Sequence, residues 1–135
     1  MSIEKKSLPE EKIRLQLIEF MKHELFYPKE MITVERSIAS FPHLRGIKVP
    51  NRRFDIAVFG GKQLIPLLVI ECKAVNITQK AVDQVIGYNL FIKAPFIALA
   101  NQKEVKTLVK SGSGYMEKKG LPDYKVLLEA LDEGN

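Results

Sequence analysis

The sequence predicts an α/β (α+β) domain spanning 1–135, with a mixed central sheet flanked by helices in the order helix, three strands, helix, strand. Three observations predict it. Apolar residues recur at three- and four-residue intervals near the N-terminus and again over 79–93, the spacing of amphipathic helices. Between these lie three runs rich in β-branched and apolar residues, at 31–38, 53–59 and 64–73, punctuated by Pro and Gly. The last of these runs is apolar on both faces for most of its length, which marks a central position in a sheet rather than an edge.

Ser7-Leu8-Pro9-Glu10 has the form of a capping box, so the first helix is expected to begin there. Ile13, Leu17, Phe20, Met21 and Leu25 form its apolar stripe, with Glu11, Arg14 and Lys22 elsewhere on its surface. Tyr27-Pro28 should end it, because the residue before proline disfavours the helical region. Met31 to Ile38 reads as a strand and Phe41 to Asn51, with two prolines and a glycine, as a loop or irregular hairpin. Arg53 to Phe59 is a second strand. Gly60-Gly61 is expected to make a two-residue reversal into the third, Leu64 to Lys73. Thr78 is the expected cap of a helix from Gln79 to Lys93 with Ala81, Val85, Tyr88 and Ile92 on one side. Pro95 separates it from a buried strand, Phe96 to Ala100. Val105, Leu108 and Val109 fit a helix or a strand, Ser111-Gly112-Ser113-Gly114 suits a hairpin turn, and Leu121-Pro122-Asp123 opens a closing helix.

A chain of 135 residues is one domain long and can bury roughly two thirds of its unfolded surface. An apolar fraction of 46% with 27% charged residues argues against disorder and membrane residence. The apolar run from Leu64 to Ile70 is far too short to span a bilayer, and the N-terminus lacks the layout of a secretory signal, so the cytoplasm is the expected compartment. The single cysteine, Cys72, allows no intrachain disulfide, and His23 and His43 sit in unrelated contexts that suggest no metal cluster. A net charge of +5 suits a polyanionic partner, since Lys and Arg gain affinity by releasing condensed counterions.

Glu-x-Lys occurs five times, and at Glu4, Glu10, Glu104 and Glu117 solvated charge accounts for it. Glu71 is different because it follows Leu67-Leu68-Val69-Ile70, where ionised side chains are costly to bury without a purpose. Residues 71 and 73 share a strand face, so a carboxylate and an ammonium emerge side by side. Asp55 repeats the oddity in the apolar run Arg53-Phe54-Asp55-Ile56-Ala57-Val58-Phe59. A reversal at 60 and 61 pairs residues whose numbers sum to about 121 to 123, which leaves Asp55 a few residues from the level of Glu71, a gap that a bulge at Pro66 could close. Two carboxylates so placed repel unless a cation lies between them. Asp55 and Glu71, with the Cys72 backbone carbonyl as a third oxygen, have the composition of a Mg²⁺ site.

An Asp in one strand, Glu-x-Lys in the next and Gln84-x-x-x-Tyr88 on the following helix resemble the PD-(D/E)xK nuclease superfamily. More narrowly, Pro9-Glu10-Glu11-Lys12-Ile13-Arg14, Glu35, Arg53-Phe54-Asp55, Val69-Ile70-Glu71-Cys72-Lys73-Ala74 and Leu121-Pro122-Asp123-Tyr124 are similar to the N-terminal nuclease domain of type I restriction enzyme R proteins, from residue 9 to 131. Phe54 stands where the superfamily name has proline, and Ala100-Asn101-Gln102 replaces a Thr-Asn-Gly found in many relatives. No Walker A sequence is present, so ATP-driven translocation is not expected of these residues. The resemblance implies a restriction-endonuclease-like core and Mg²⁺-dependent hydrolysis of DNA phosphodiesters, with Mn²⁺ as a substitute ion. It gives Asp55 and Glu71 one or two metal ions, Lys73 the attacking water and the developing charge, and Gln84 and Tyr88 the positioning of Lys73 or the phosphate. Glu35 and Glu11 are auxiliary acid candidates, with an ion pair from Glu35 to Arg36, Arg52 or Arg53 as the alternative. Lys48, Arg52, Arg53 and Lys80 are candidates for a DNA groove, with solvated surface charge as the alternative. Subunits of a restriction or repair system are further expected partners. Against the enzyme stands a non-catalytic DNA-binding or docking module in which Asp55 and Lys73 are a buried ion pair and Gln84 and Tyr88 pack the helix.

Overall fold

The structure, a computed structural model, describes residues 8–133, with side chains to residue 131. Helix α1 (Leu8–Glu24) leads into strand β1 (Ile32–Ser37), followed by β2 (Arg53–Gly60), β3 (Ile65–Cys72), α2 (Gln79–Ile92), β4 (Phe96–Ala100), the hairpin β5 (Val105–Ser111) and β6 (Gly114–Lys119), and α3 (Tyr124–Glu133). The six strands form one mixed sheet in the order β1-β2-β3-β4-β5-β6. Only β3 and β4 are parallel, and α2 is the crossover that a parallel pair requires. This is the helix, three-strand, helix, strand order of a restriction-endonuclease-like core, extended by a hairpin and a closing helix.

Each face of the sheet carries its own core. Ile56, Val58, Leu68, Ile70, Cys72, Ala98 and Ala100 pack with Ile13, Leu17 and Met21 of α1 and Leu127 of α3. Ala57, Phe59, Val69, Ile97, Leu99 and Leu108 pack with Val82, Val85 and Ile92 of α2. The alternation along β2 to β4 is what a sheet covered on both sides demands. Two tyrosines fasten α3 to this arrangement: Tyr27 Oη donates to the Pro122 carbonyl at 2.8 Å and Tyr124 Oη to the Phe59 carbonyl at 2.8 Å. Burial of the Tyr27 ring pushes its phenol pKa well up, so it stays a donor across the accessible pH range.

Several local expectations are corrected. Ser7, the expected cap of α1, lies outside the described residues. The helix stops at Glu24, before Tyr27-Pro28, where Phe26 turns to φ +59° and the Tyr27 N–H reaches back to the Met21 carbonyl at 3.0 Å. Phe20 is 48% exposed and off the stripe, whereas Arg14 is buried, at 9%. Ile38 leaves the strand for a 3-10 turn (Ile38–Ser40), and a second such turn (Pro42–Leu44) starts the expected loop. On α2 the Thr78 hydroxyl accepts from Ala81 N–H at 3.1 Å, but the buried side is Val82, Val85, Asn89 and Ile92. Asn89 is tolerated there because its amide closes both the N–H and the carbonyl of Ala94 at 2.9 Å.

The reversal between β2 and β3 is longer than two residues. It takes in residues 61–64, with Gly61 at φ +78° and Leu64 at +52°. The ladder then pairs Gly60 with Ile65 and Phe59 with Pro66, but Val58 with Leu68, so Leu67 is the extra residue of a bulge. Beyond the bulge the paired residue numbers sum to 126, as in Ile56 with Ile70, so Asp55 falls level with Glu71 rather than short of it.

Gly60 sits where α3 crosses this bulge. A Cβ there would lie 2.5 Å from Leu67 Cδ1, 2.8 Å from Tyr124 Oη and 3.0 Å from Leu128 Cδ2. Gly60→Ala should therefore cost about 1–3 kcal/mol by overpacking and displace the Tyr124 hydrogen bond. Thermal denaturation would show a Tm lowered by several degrees; an unchanged Tm would mean that α3 shifts freely over the bulge.

Candidate active site

The site forms where the β2–β3 ladder gives way. The last Cα pair of that ladder is Ile56 with Ile70. One step on, β2 rotates: Phe54 and Ile56, two residues apart, pack into opposite cores, although strand alternation would put them on one face. Asp55 lies at the rotation. Across from it in β1, between the pairs Val34–Ile56 and Arg36–Phe54, Glu35 adopts φ +50°, a conformation uncommon for any residue with a side chain. The rotation directs the Asp55 side chain at the neighbouring strand, where its Oδ2 accepts the Cys72 N–H at 2.6 Å. The carboxylate thus does for Cys72 what a backbone carbonyl does for the residues before it. Asp55 is 2% exposed.

Glu71 and Cys72 end β3, and Lys73 follows it. Glu71 shares the α2 face with Val69 and pairs with Leu99 of β4, while the Lys73 N–H donates to the Ala100 carbonyl at 2.8 Å, which continues the parallel ladder one residue past the strand. Glu71 and Lys73 are both half-buried. The structure therefore brings Asp55 against the Glu71-Cys72-Lys73 segment, with a short bond to the peptide N–H between the acid and the lysine.

Tyr88 stands beside the start of β2. Its ring meets Phe54 edge-on, with centroids 6.3 Å apart, and its hydroxyl accepts from Arg52 Nε at 3.1 Å. Gln84, one turn earlier on α2, is exposed and makes no hydrogen bond or ion pair among the described residues. Glu35 is engaged by Arg14 Nη1 at 3.2 Å and Arg53 Nη1 at 3.8 Å, and Glu11 by Arg14 Nη2 at 3.7 Å. The expected partners Arg36 and Arg52 are not used by Glu35: Arg36 spans the Phe41 and Phe59 rings and Arg52 bonds Tyr88. Lys48 and Lys80 are exposed. His43 Nε2 lies 3.0 Å from the Ile92 carbonyl, and His23 pairs with Glu19, neither near the site.

One residue was missed. Glu10, discounted in sequence as solvated charge, reaches from α1 to accept the Ala74 N–H in a long 3.4 Å contact, beside Lys73. Glu11, the expected reach from this helix, turns to Arg14 instead. The only sequence signal was position in the first helical turn, which does not say what that turn packs against. Among the described residues no group of three or more His, Cys, Asp or Glu side chains is placed to hold a metal ion, so any ion would rest on the acid pair, backbone oxygen and water.

Fold and site together define a restriction-endonuclease-like domain in which a buried acid is bonded to a Glu-x-Lys segment at the ends of the central strands, with Tyr88 of α2 packed on Phe54 beside the acid. The family model described as the type I restriction enzyme R protein N terminus matches residues 9–122, and the chain belongs to that family. No curated protein matched it. No helix among the described residues is long and apolar enough to cross a membrane.

The Asp55 bond can be tested as a structural element by itself. Asp55→Ala should orphan the buried Cys72 N–H and cost about 1–3 kcal/mol, whereas Asp55→Asn keeps an acceptor oxygen and should cost less. Urea unfolding of the two variants checks this; equal losses would mean that charge rather than the hydrogen bond holds the strands.

Proposed function

We propose that the chain is a Mg²⁺-dependent nuclease domain that hydrolyses phosphodiester bonds of DNA as part of a restriction system. The observation that supports it is the Asp55–Cys72 hydrogen bond, which ties the buried acid to the strand end that carries Glu71 and Lys73, in a chain of the R-protein family. That bond sets the backbone from which both the Glu71 carboxylate and the Lys73 ammonium project.

The donor set suits the ion. Carboxylate and carbonyl oxygens are the hard ligands that Mg²⁺ prefers, and Mg²⁺ keeps several waters, so one or two carboxylates suffice. Asp55, Glu71 and the Cys72 backbone carbonyl would hold it, with Mn²⁺ as a substitute. Bound there, the ion supplies Lewis-acid stabilisation of phosphate charge and a more acidic water.

The chain's own residues do the rest. Lys73, held by its backbone at the strand end, presents an ammonium that attracts the phosphate and offsets charge developing on its oxygens. Tyr88, fixed by Phe54 and Arg52, forms the wall on the α2 side, and Gln84 is free to turn toward a bound phosphate. Arg14 holds Glu35 and through it Arg53, which keeps β1 and β2 in register beside Asp55.

Lys73→Ala should lower Mg²⁺-dependent plasmid nicking about a thousandfold, a loss of about 4 kcal/mol at 1.36 kcal/mol per factor of ten, with Tm nearly unchanged. If Lys73 were half of a buried ion pair, its removal would instead cost roughly 3–5 kcal/mol of folding energy. A strongly lowered Tm, with wild-type protein inactive on every DNA form, would show a non-catalytic module.

A further inference from the structure

The register carries the acid row onward across the sheet. Glu71 pairs with Leu99, Leu99 with Lys106, and Lys106 with Lys119. All four belong to the α2 face, since Leu99 and Leu108 pack there and Lys106 is two residues from Leu108. One transverse row therefore runs from Asp55 and Glu71 over a buried leucine to two lysines. At a strand spacing of about 4.8 Å, Lys106 stands roughly 10 Å from Glu71 and Lys119 roughly 14 Å.

Two lysines directly opposite each other on an antiparallel pair repel, and the fold gains nothing from them. Glu117 relieves only Lys106, at 3.9 Å; among the described residues Lys119 makes no ion pair and is exposed. Lys110, on the same face, lies over the Tyr115 ring at 5.0 Å and adds a third positive charge farther along β5. A polyanion lying along the row would neutralise a repulsion that the free protein must carry.

We propose that Lys106 and Lys119 are phosphate contacts of duplex DNA, forming a track that leads the backbone away from the acid pair across β4, β5 and β6. At one phosphate per 3.4 Å of axis on each strand, a 10–14 Å row spans about three to four phosphates of one strand. The track rests on the proposed nuclease function for its ligand, but its binding is independent of catalysis. Contacts of this kind position the DNA and carry no sequence information.

The experiment measures binding by fluorescence anisotropy, without divalent metal, to a labelled duplex of about 20 base pairs over a series of salt concentrations. Lys106→Ala/Lys119→Ala should weaken binding by about tenfold or more at low salt and reduce the slope of log K against log salt by about two. Lys106→Arg/Lys119→Arg should restore both, and the alanine variant should melt no lower than wild type because it removes a like-charge pair. An unchanged affinity and slope in the alanine variant overturns the proposal, as does a wild-type protein that binds no DNA or binds single-stranded RNA in preference. Absence of Mg²⁺-dependent cleavage with binding and its lysine dependence intact would defeat the nuclease reading alone and sustain the track.

Discussion

A buried carboxylate stands where the β2–β3 ladder would place a backbone acceptor, and the geometry of the strand ends follows from it. Asp55 Oδ2 takes the Cys72 N–H at 2.6 Å, so that amide is satisfied although the two strands have stopped pairing. A buried N–H left without a partner costs about 1–3 kcal/mol, enough to make an acceptor side chain at this position a structural requirement. Charge-assisted bonds of this kind are short and strong. Because the bond is made to the peptide between Glu71 and Lys73, it fixes the backbone of both neighbours without using their side chains.

The departure from regular pairing is shared by three strands. β2 rotates so that Phe54 and Ile56 face opposite cores, and Glu35 of β1 takes φ +50° to follow it. Strained or rare backbone conformations persist only where the surroundings over-determine them. Here the surroundings are Arg14 and Arg53, which converge on Glu35. Arg14 is on the buried side of α1, and losing its partner would leave an uncompensated charge at the edge of the core. Glu35 of β1 and Glu11 of α1 are thus joined through the same guanidinium.

The mixed sheet supplies position beyond the site. Since β3 and β4 are parallel, their C-terminal ends lie together, and both deliver residues to one rim of the sheet. The antiparallel turn back into β5 and β6 brings Lys106 and Lys119 to the same level as Glu71, on the same face. Acids and lysines far apart in sequence are aligned by hydrogen-bond register alone.

Sequence by itself determined the elements and their order. Periods of two and near four, Thr78 as a cap and Pro95 as a break are local signals, and each is read by neighbouring residues only. The strangeness of Asp55 and Glu71 was also legible, because a charge inside an apolar run is costly whatever surrounds it. Register was not legible. The turn at 61–64 and the bulge at Leu67 each shift pairing by a residue or more, and the Gly60-Gly61 pair does not announce either length or bulge, beside which α3 packs. Nor could the fate of exposed-looking charges be read: Arg14 is buried, Glu10 meets Ala74 and Lys106 faces Lys119 because separate elements meet there. A charged side chain carries no local mark of its partner, since electrostatic pairing depends on distance in space and is indifferent to separation along the chain.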